Sequence, residues 1–155
     1  MRSQSIDKVF RIILNDDFIR KNVDSFFLYT ENYRLLSRYI FEKKAIAYGL
    51  KDYQSGEYLG VFLAFRSRNC LYGHFLFQKH HGVNIICVIA EMIRRMHLYF
   101  KKNGIQIAKI VGHIPEKNKA AIWVAQKLGA KYKRHFCVNE KGRIVEYILP
   151  LDNHL

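Results

Sequence analysis

Residues 109–133 constrain this chain more tightly than any other stretch. An apolar strand ends at His113, Pro115 turns the chain, and Asn118 opens a helix that runs to Leu128. Gly129 then stops the helix, and a second strand begins near Lys131. Asn suits a helix start because its side-chain oxygen takes up an otherwise unbonded backbone N–H. Gly suits a helix end because it tolerates the left-handed backbone that the stop requires. A helix between two strands in this order is a βαβ crossover, which needs a sheet to lie against.

The rest of the chain supplies that sheet. Ser5 precedes Ile6, Val9, Phe10, Ile13 and Leu14, which fall on one side of a 3.6-residue repeat and imply a capped amphipathic helix. Asn15 to Asp17 break it, a short turn follows through Phe18 and Val23, and Leu35, Leu36, Tyr39 and Ile40 repeat the helical spacing. Three strands follow, Ala45 to Tyr53, Tyr58 to Arg66 and Cys70 to Phe77, separated by the turns at Gln54–Glu57 and Ser67–Asn69. Short turns between consecutive strands imply an antiparallel meander. Ile85, Val88, Ile89, Met92, Ile93, Met96 and Phe100 mark one face of a long helix that Asn103-Gly104 ends, with Lys101 and Lys102 suiting its C-terminal dipole. Ile105 to His113, Tyr132 to Val138 and Arg143 to Leu149 are the remaining strands. The expected fold is α/β (α+β): a mixed sheet with an antiparallel N-terminal meander followed by a βαβαββ half, in one domain over residues 1–155.

Half of the 155 residues are hydrophobic, including eleven Phe and ten Tyr, so one core has ample material. No apolar run approaches the ~18–20 residues needed to span a bilayer, and nothing behind Met1 to Ser5 resembles a secretory leader, which implies a cytoplasmic protein. Cys70, Cys87 and Cys137 are odd in number and lie in apolar segments, as expected of buried reduced thiols. The net charge is +13, and residues 94–143 hold thirteen Lys/Arg against two acids. Such a face favours a polyanion: nucleic acid, an acidic protein, or the phosphates of a nucleotide-like cofactor.

Phosphate chemistry has a candidate location at the junction of the third strand and the long helix, from Phe77 through Gln78, Lys79, His80, His81, Gly82, Val83 and Asn84. Backbone N–H groups at a helix start have no helical partner, and together with the helix dipole they attract a pyrophosphate. Gly82 allows close approach of the backbone, and Lys79 and the two histidines add charge. A tight strand-to-helix turn with solvated polar side chains fits the stretch equally well. Adjacent histidines rarely aim at one ion, so no metal site is expected.

Taken together, these elements resemble the GNAT acetyltransferases over residues 45–150. The family's phosphate loop reads Arg/Gln-x-x-Gly-x-Gly/Ala; His81 falls at its first position and Gly82 follows, while Asn84 and Ile86 replace its small residues. Asn118 matches the family Asn beside the pantetheine arm, Ala121 the small packing residue, and Leu128-Gly129-Ala130 the usual Leu-Gly-Phe ending. The tyrosine often found seven residues after that Asn is Ala125 here. The run from His113 to Ala121, His-Ile-Pro-x-x-Asn-x-x-Ala, resembles small acetyltransferase-like proteins encoded by bacteriophages.

The resemblance implies acetyl-CoA as cofactor, held by residues 77–84 and Asn118, and transfer to an unspecified amine. That amine must lose a proton, so a group titrating near neutrality should reach it. His74 and His113 are the best-placed bases, since the cofactor would lie between their strands, and Tyr72 is a candidate acid. A histidine or tyrosine in an aromatic strand is more usually a hydrogen-bonded core residue, and that is the plainer reading of each. Trp123 reads as a helix-to-sheet core contact. Two other functions remain open: an inactive GNAT-like virion or host-interaction protein, and a basic nucleic-acid-associated protein acting through residues 94–143.

Overall fold

The alternating and helical patterns of the second half become strands and helices close to where the residues imply. The computed structural model describes residues 46–51, 54–56, 58–77, 84–137 and 142–151, so the expected N-terminal helices lie outside the described residues. In chain order the elements are β1 (Ile46–Lys51), β2 (Tyr58–Ser67), β3 (Cys70–Phe77), α1 (Ile85–Lys102), β4 (Lys109–Pro115), α2 (Lys119–Lys127), β5 (Lys131–Cys137) and β6 (Arg143–Pro150).

One strand moves. That expected over Ile105–His113 runs instead from Lys109 to Pro115. Ile105 is still part of the helix ending, its N–H bonded to the Phe100 carbonyl at 2.9 Å. Sheet contact begins only where the Ala108 N–H reaches the Asn69 carbonyl at 2.8 Å. At the far end Pro115 is accommodated because it is the last pair of its ladder, and the Glu116 N–H makes the next bond to the Arg143 carbonyl at 2.9 Å.

Two compact units make up the chain: residues up to Phe65 with His74–His81, and Arg66–Gly73 with residues from Gly82 onward. In the first, β1 pairs antiparallel with β2 from Ile46↔Ala64 to Lys51↔Tyr58. Phe62, Leu63 and Ala64 are all fully buried. Successive strand residues point to opposite faces, so this part of β2 is covered on both. The Phe62 and Phe75 rings stack with centroids 4.4 Å apart.

In the second unit the strand order is β3-β4-β6-β5. β3 runs parallel to β4, while β4–β6 and β6–β5 are antiparallel, which makes the sheet mixed as expected. On α1 the buried residues are Ile89, Ile93, Met96 and Phe100, a single stripe at helical spacing. The Asn84 side chain caps its start by accepting from the Cys87 N–H at 3.3 Å. Gly104, at φ 69°, follows its end in the left-handed region that glycine adopts without strain.

Helix α2 is shorter and has no fully buried residue. Its local signals therefore carry more weight than packing does. Asn118 Oδ1 accepts from the Ala121 N–H at 3.1 Å, and Gly129 closes the far end at φ 90°. We expect Asn118→Ala to cost about 1 kcal/mol in urea denaturation, the usual value of a lost helix cap.

Burial corrects two expectations. Cys87 and Cys137 are exposed and Cys70 is only partly covered, so the thiols are free but not core residues. Cys87 lies two residues before Ile89, about 200° around the helix and away from the buried stripe. Cys137 ends β5, a strand exposed along nearly its whole length. Trp123, expected in the core, is 51% exposed. Lys127 lies one turn on, its Nζ 5.7 Å from the Trp123 ring centre, a cation–π contact at the surface. No helix among the described residues is long and apolar enough to cross a membrane.

Candidate active site

Two of the three catalytic candidates meet within the second unit. Tyr72 on β3 and His113 on β4 have ring centroids 5.7 Å apart. Tyr72 pairs with Val111, two residues before His113, so both side chains leave the same face of the sheet. Phe136 stands edge-on to the His113 ring at 5.3 Å. His74 belongs to the first unit, where its ring lies edge-on to Phe65 at 5.9 Å.

His113 has a partner that the sequence did not suggest. Its Nε2 lies 2.7 Å from Glu146 Oε2, and Arg134 Nε donates to Glu146 Oε1 at 3.1 Å. Strand register makes this row. β4 and β6 set His113 opposite Glu146, and β5 and β6 set Arg134 opposite the same glutamate. The β5 position depends on a bulge between Tyr132 and Arg134 that inserts Lys133 as an extra residue. Without it Lys133 would face Glu146, and Arg134 would project through the other face.

Glu146 is the one buried charged residue of the described core, 8% exposed. Burial is the largest influence on its carboxyl and pushes it up. Hydrogen bonds from His113 and Arg134, together with their charges, outweigh that effect and hold it below the ordinary carboxylate range. An ionised carboxylate only accepts, so in the neutral imidazole His113 Nε2 carries the proton that bonds to Glu146. Its Nδ1 then keeps a lone pair. Chemically the row is a positioned proton acceptor, with a tyrosine hydroxyl on the neighbouring strand.

Backbone pairing around this row is uneven. The parallel ladder has three pairs, from Cys70↔Lys109 to Tyr72↔Val111, whereas β4 continues to Pro115 and remains paired with β6 throughout. From Gly112 onward the β3-side edge of β4 therefore has no ladder partner among the described residues.

Of the expected cofactor-binding residues, Gln78, Lys79, His80, His81, Gly82 and Val83 lie outside the described residues, and Phe77 is the last residue of β3. Asn84 and Asn118 both begin helices and use their side-chain oxygens as caps. Glu146 was legible only as the single charge within Ile144–Leu149, an anomaly in an apolar strand. Arg134 appeared only as one cation of a basic cluster.

No family model matches the chain, and no curated protein matches it. Solved structures do. The spermidine N-acetyltransferase of Vibrio cholerae in complex with CoA and spermine superposes with a TM-score of 0.72 at 12% identity, covering 97% of this chain and 93% of that one. The aminoglycoside acetyltransferase AAC(6')-Ib in complex with coenzyme A and kanamycin gives a TM-score of 0.71 at 12% identity, covering 98% and 92%. The same enzyme with an aminoglycoside and acetyl-CoA gives 0.72 at 12% identity, covering 98% and 91%. These likenesses extend over nearly the whole of both chains, and the fold they share with this protein is that of the GNAT acetyltransferases.

Proposed function

We propose that this protein is an acyl-CoA-dependent N-acyltransferase, with acetyl-CoA as donor and His113 as the base that deprotonates an amine acceptor. The observation that carries the reading is the His113–Glu146 hydrogen bond at 2.7 Å on a GNAT-type sheet. The likenesses reported above are all to acetyltransferases, whose crystal complexes hold CoA or acetyl-CoA beside an amine.

The described residues suit an extended thioester arm. Where the ladder with β3 stops, β4 keeps backbone N–H and C=O groups that an amide-bearing chain can engage. Asn118, at the start of α2, and the loop 77–84 are the proposed holders of the rest of the donor. When bound, acetyl-CoA would supply the activated acyl carbon for the amine nitrogen, with the CoA thiolate as the leaving group. His113 Nδ1 receives the proton lost by the nitrogen, Glu146 stabilises the imidazolium so formed, and Arg134 keeps Glu146 ionised. Tyr72, 36% exposed beside His113, is the proposed donor of a proton to the departing sulfur. The reading keeps the likeness of residues 113–121 to bacteriophage-encoded acetyltransferase-like proteins, and with it a place in a host-cell cytoplasm.

Acetyl-CoA at a hundred times its Kd should stabilise the protein by about 2.7 kcal/mol, read as a rise in melting temperature. Free CoA thiol should accumulate when an acceptor is present. No thermal shift at millimolar acetyl-CoA, with no thiol release from any amine, would leave a scaffold without this chemistry.

A further inference from the structure

Resting on that acyltransfer reading, we infer that the acceptor is an anionic molecule, its amine carried on a phosphate- or carboxylate-bearing scaffold rather than on a polycation. Three carboxylates occur among the described residues, and each already faces a cation. Glu91 holds Arg94 and Arg95 at 2.8 and 2.7 Å, Glu116 faces Arg143 at 3.6 Å, and Glu146 holds His113 and Arg134.

Cations dominate the flank of His113 instead. From Lys117 to Cys137 there are six Lys/Arg and no Asp or Glu. β5 brings two of them to the His113 face, Lys131 paired with Ile148 and Arg134 with Glu146, with Lys133 between them in sequence, and its residues 131–135 are all exposed. Arg134 gives Nε to Glu146 while its side chain stays 67% exposed. A guanidinium held in this way presents its outer N–H groups in the fork that suits a phosphate or carboxylate. Arg134 and His113 bond to the two oxygens of one carboxylate, so the guanidinium charge acts on whatever approaches that ring. It lowers the encounter rate of a cationic amine and raises that of an anionic one.

The test is a comparison of kcat/KM at saturating acetyl-CoA. Glucosamine 6-phosphate is set against glucosamine, and a lysine peptide flanked by glutamates against one flanked by glutamines. Spermidine and kanamycin serve as polycations. We expect the anionic member of at least one pair to be favoured about tenfold or more at low salt, shrinking as salt is raised. Which pair responds separates phosphate from carboxylate as the recognised group. Combining Lys131→Glu with Lys133→Glu should erase the preference, while Lys102→Glu at the exposed end of α1 should leave it intact. A preference for the polycations, equal use of both members of each pair, or transfer to neither anionic amine despite a retained acetyl-CoA shift overturns the inference. Failure of the acyltransfer reading looks different: neither thermal shift nor thiol release occurs with any acceptor, and this inference falls with it.

Discussion

His113→Ala should lower kcat by about 10² to 10⁴, the usual contribution of a positioned general base, while the acetyl-CoA-induced rise in melting temperature stays as in the parent. The split between turnover and donor binding is what distinguishes a base from a packing residue, since Tyr72 and Phe136 also touch this ring. Glu146→Gln should act in the same direction and more weakly, because a carboxamide oxygen still accepts from Nε2 but no longer carries the charge that stabilises an imidazolium. Its stability signature has a definite sign. The folded Glu146 carboxyl titrates below its unfolded value, so its contribution is present above the unfolded pKa, about 4.3, and is lost as pH falls through the folded one. The stability gap between parent and Glu146→Gln should therefore narrow below about pH 4. Full turnover in His113→Ala would remove this residue from the chemistry.

The largest expected loss of stability is elsewhere. Phe62→Ala should cost about 3–5 kcal/mol, out of a total that for domains is about 5–15 kcal/mol. Phe62 has no exposed area and stacks on Phe75, so truncation removes the ring's transfer energy and leaves a cavity between residues buried on both sides of β2. The measurement is the urea midpoint at constant m-value. A cost below about 1 kcal/mol would mean that the site collapses around the missing ring.

Most of the second half was legible in the residues because its signals are local. Asn84 and Asn118 start helices and Gly104 and Gly129 end them, each through bonds or backbone angles within a few residues of itself. Ile89, Ile93, Met96 and Phe100 form the buried stripe that their spacing implied. Strand β4 was misplaced because its boundaries are set by partners far away in the chain, Asn69 at one end and Arg143 at the other. Trp123 and the cysteines were misjudged for a related reason. Residue type favours burial, but α2 has no fully buried residue, β5 has no ladder partner besides β6 among the described residues, and Cys87 lies off the buried stripe of α1.

By themselves, then, the residues determined the order of strands and helices from β1 to β6, the crossover between β4 and β5, and the basic character of that half of the chain. These depend on periodicity, capping and charge, which need no tertiary partner. The candidate chemistry was decided only in three dimensions. His113, Arg134 and Glu146 are separated by as many as 33 positions and meet through two strand registers. One inserted residue, Lys133, selects which cation reaches the glutamate, and a side-chain period of two makes that single insertion enough to turn Arg134 to the His113 face.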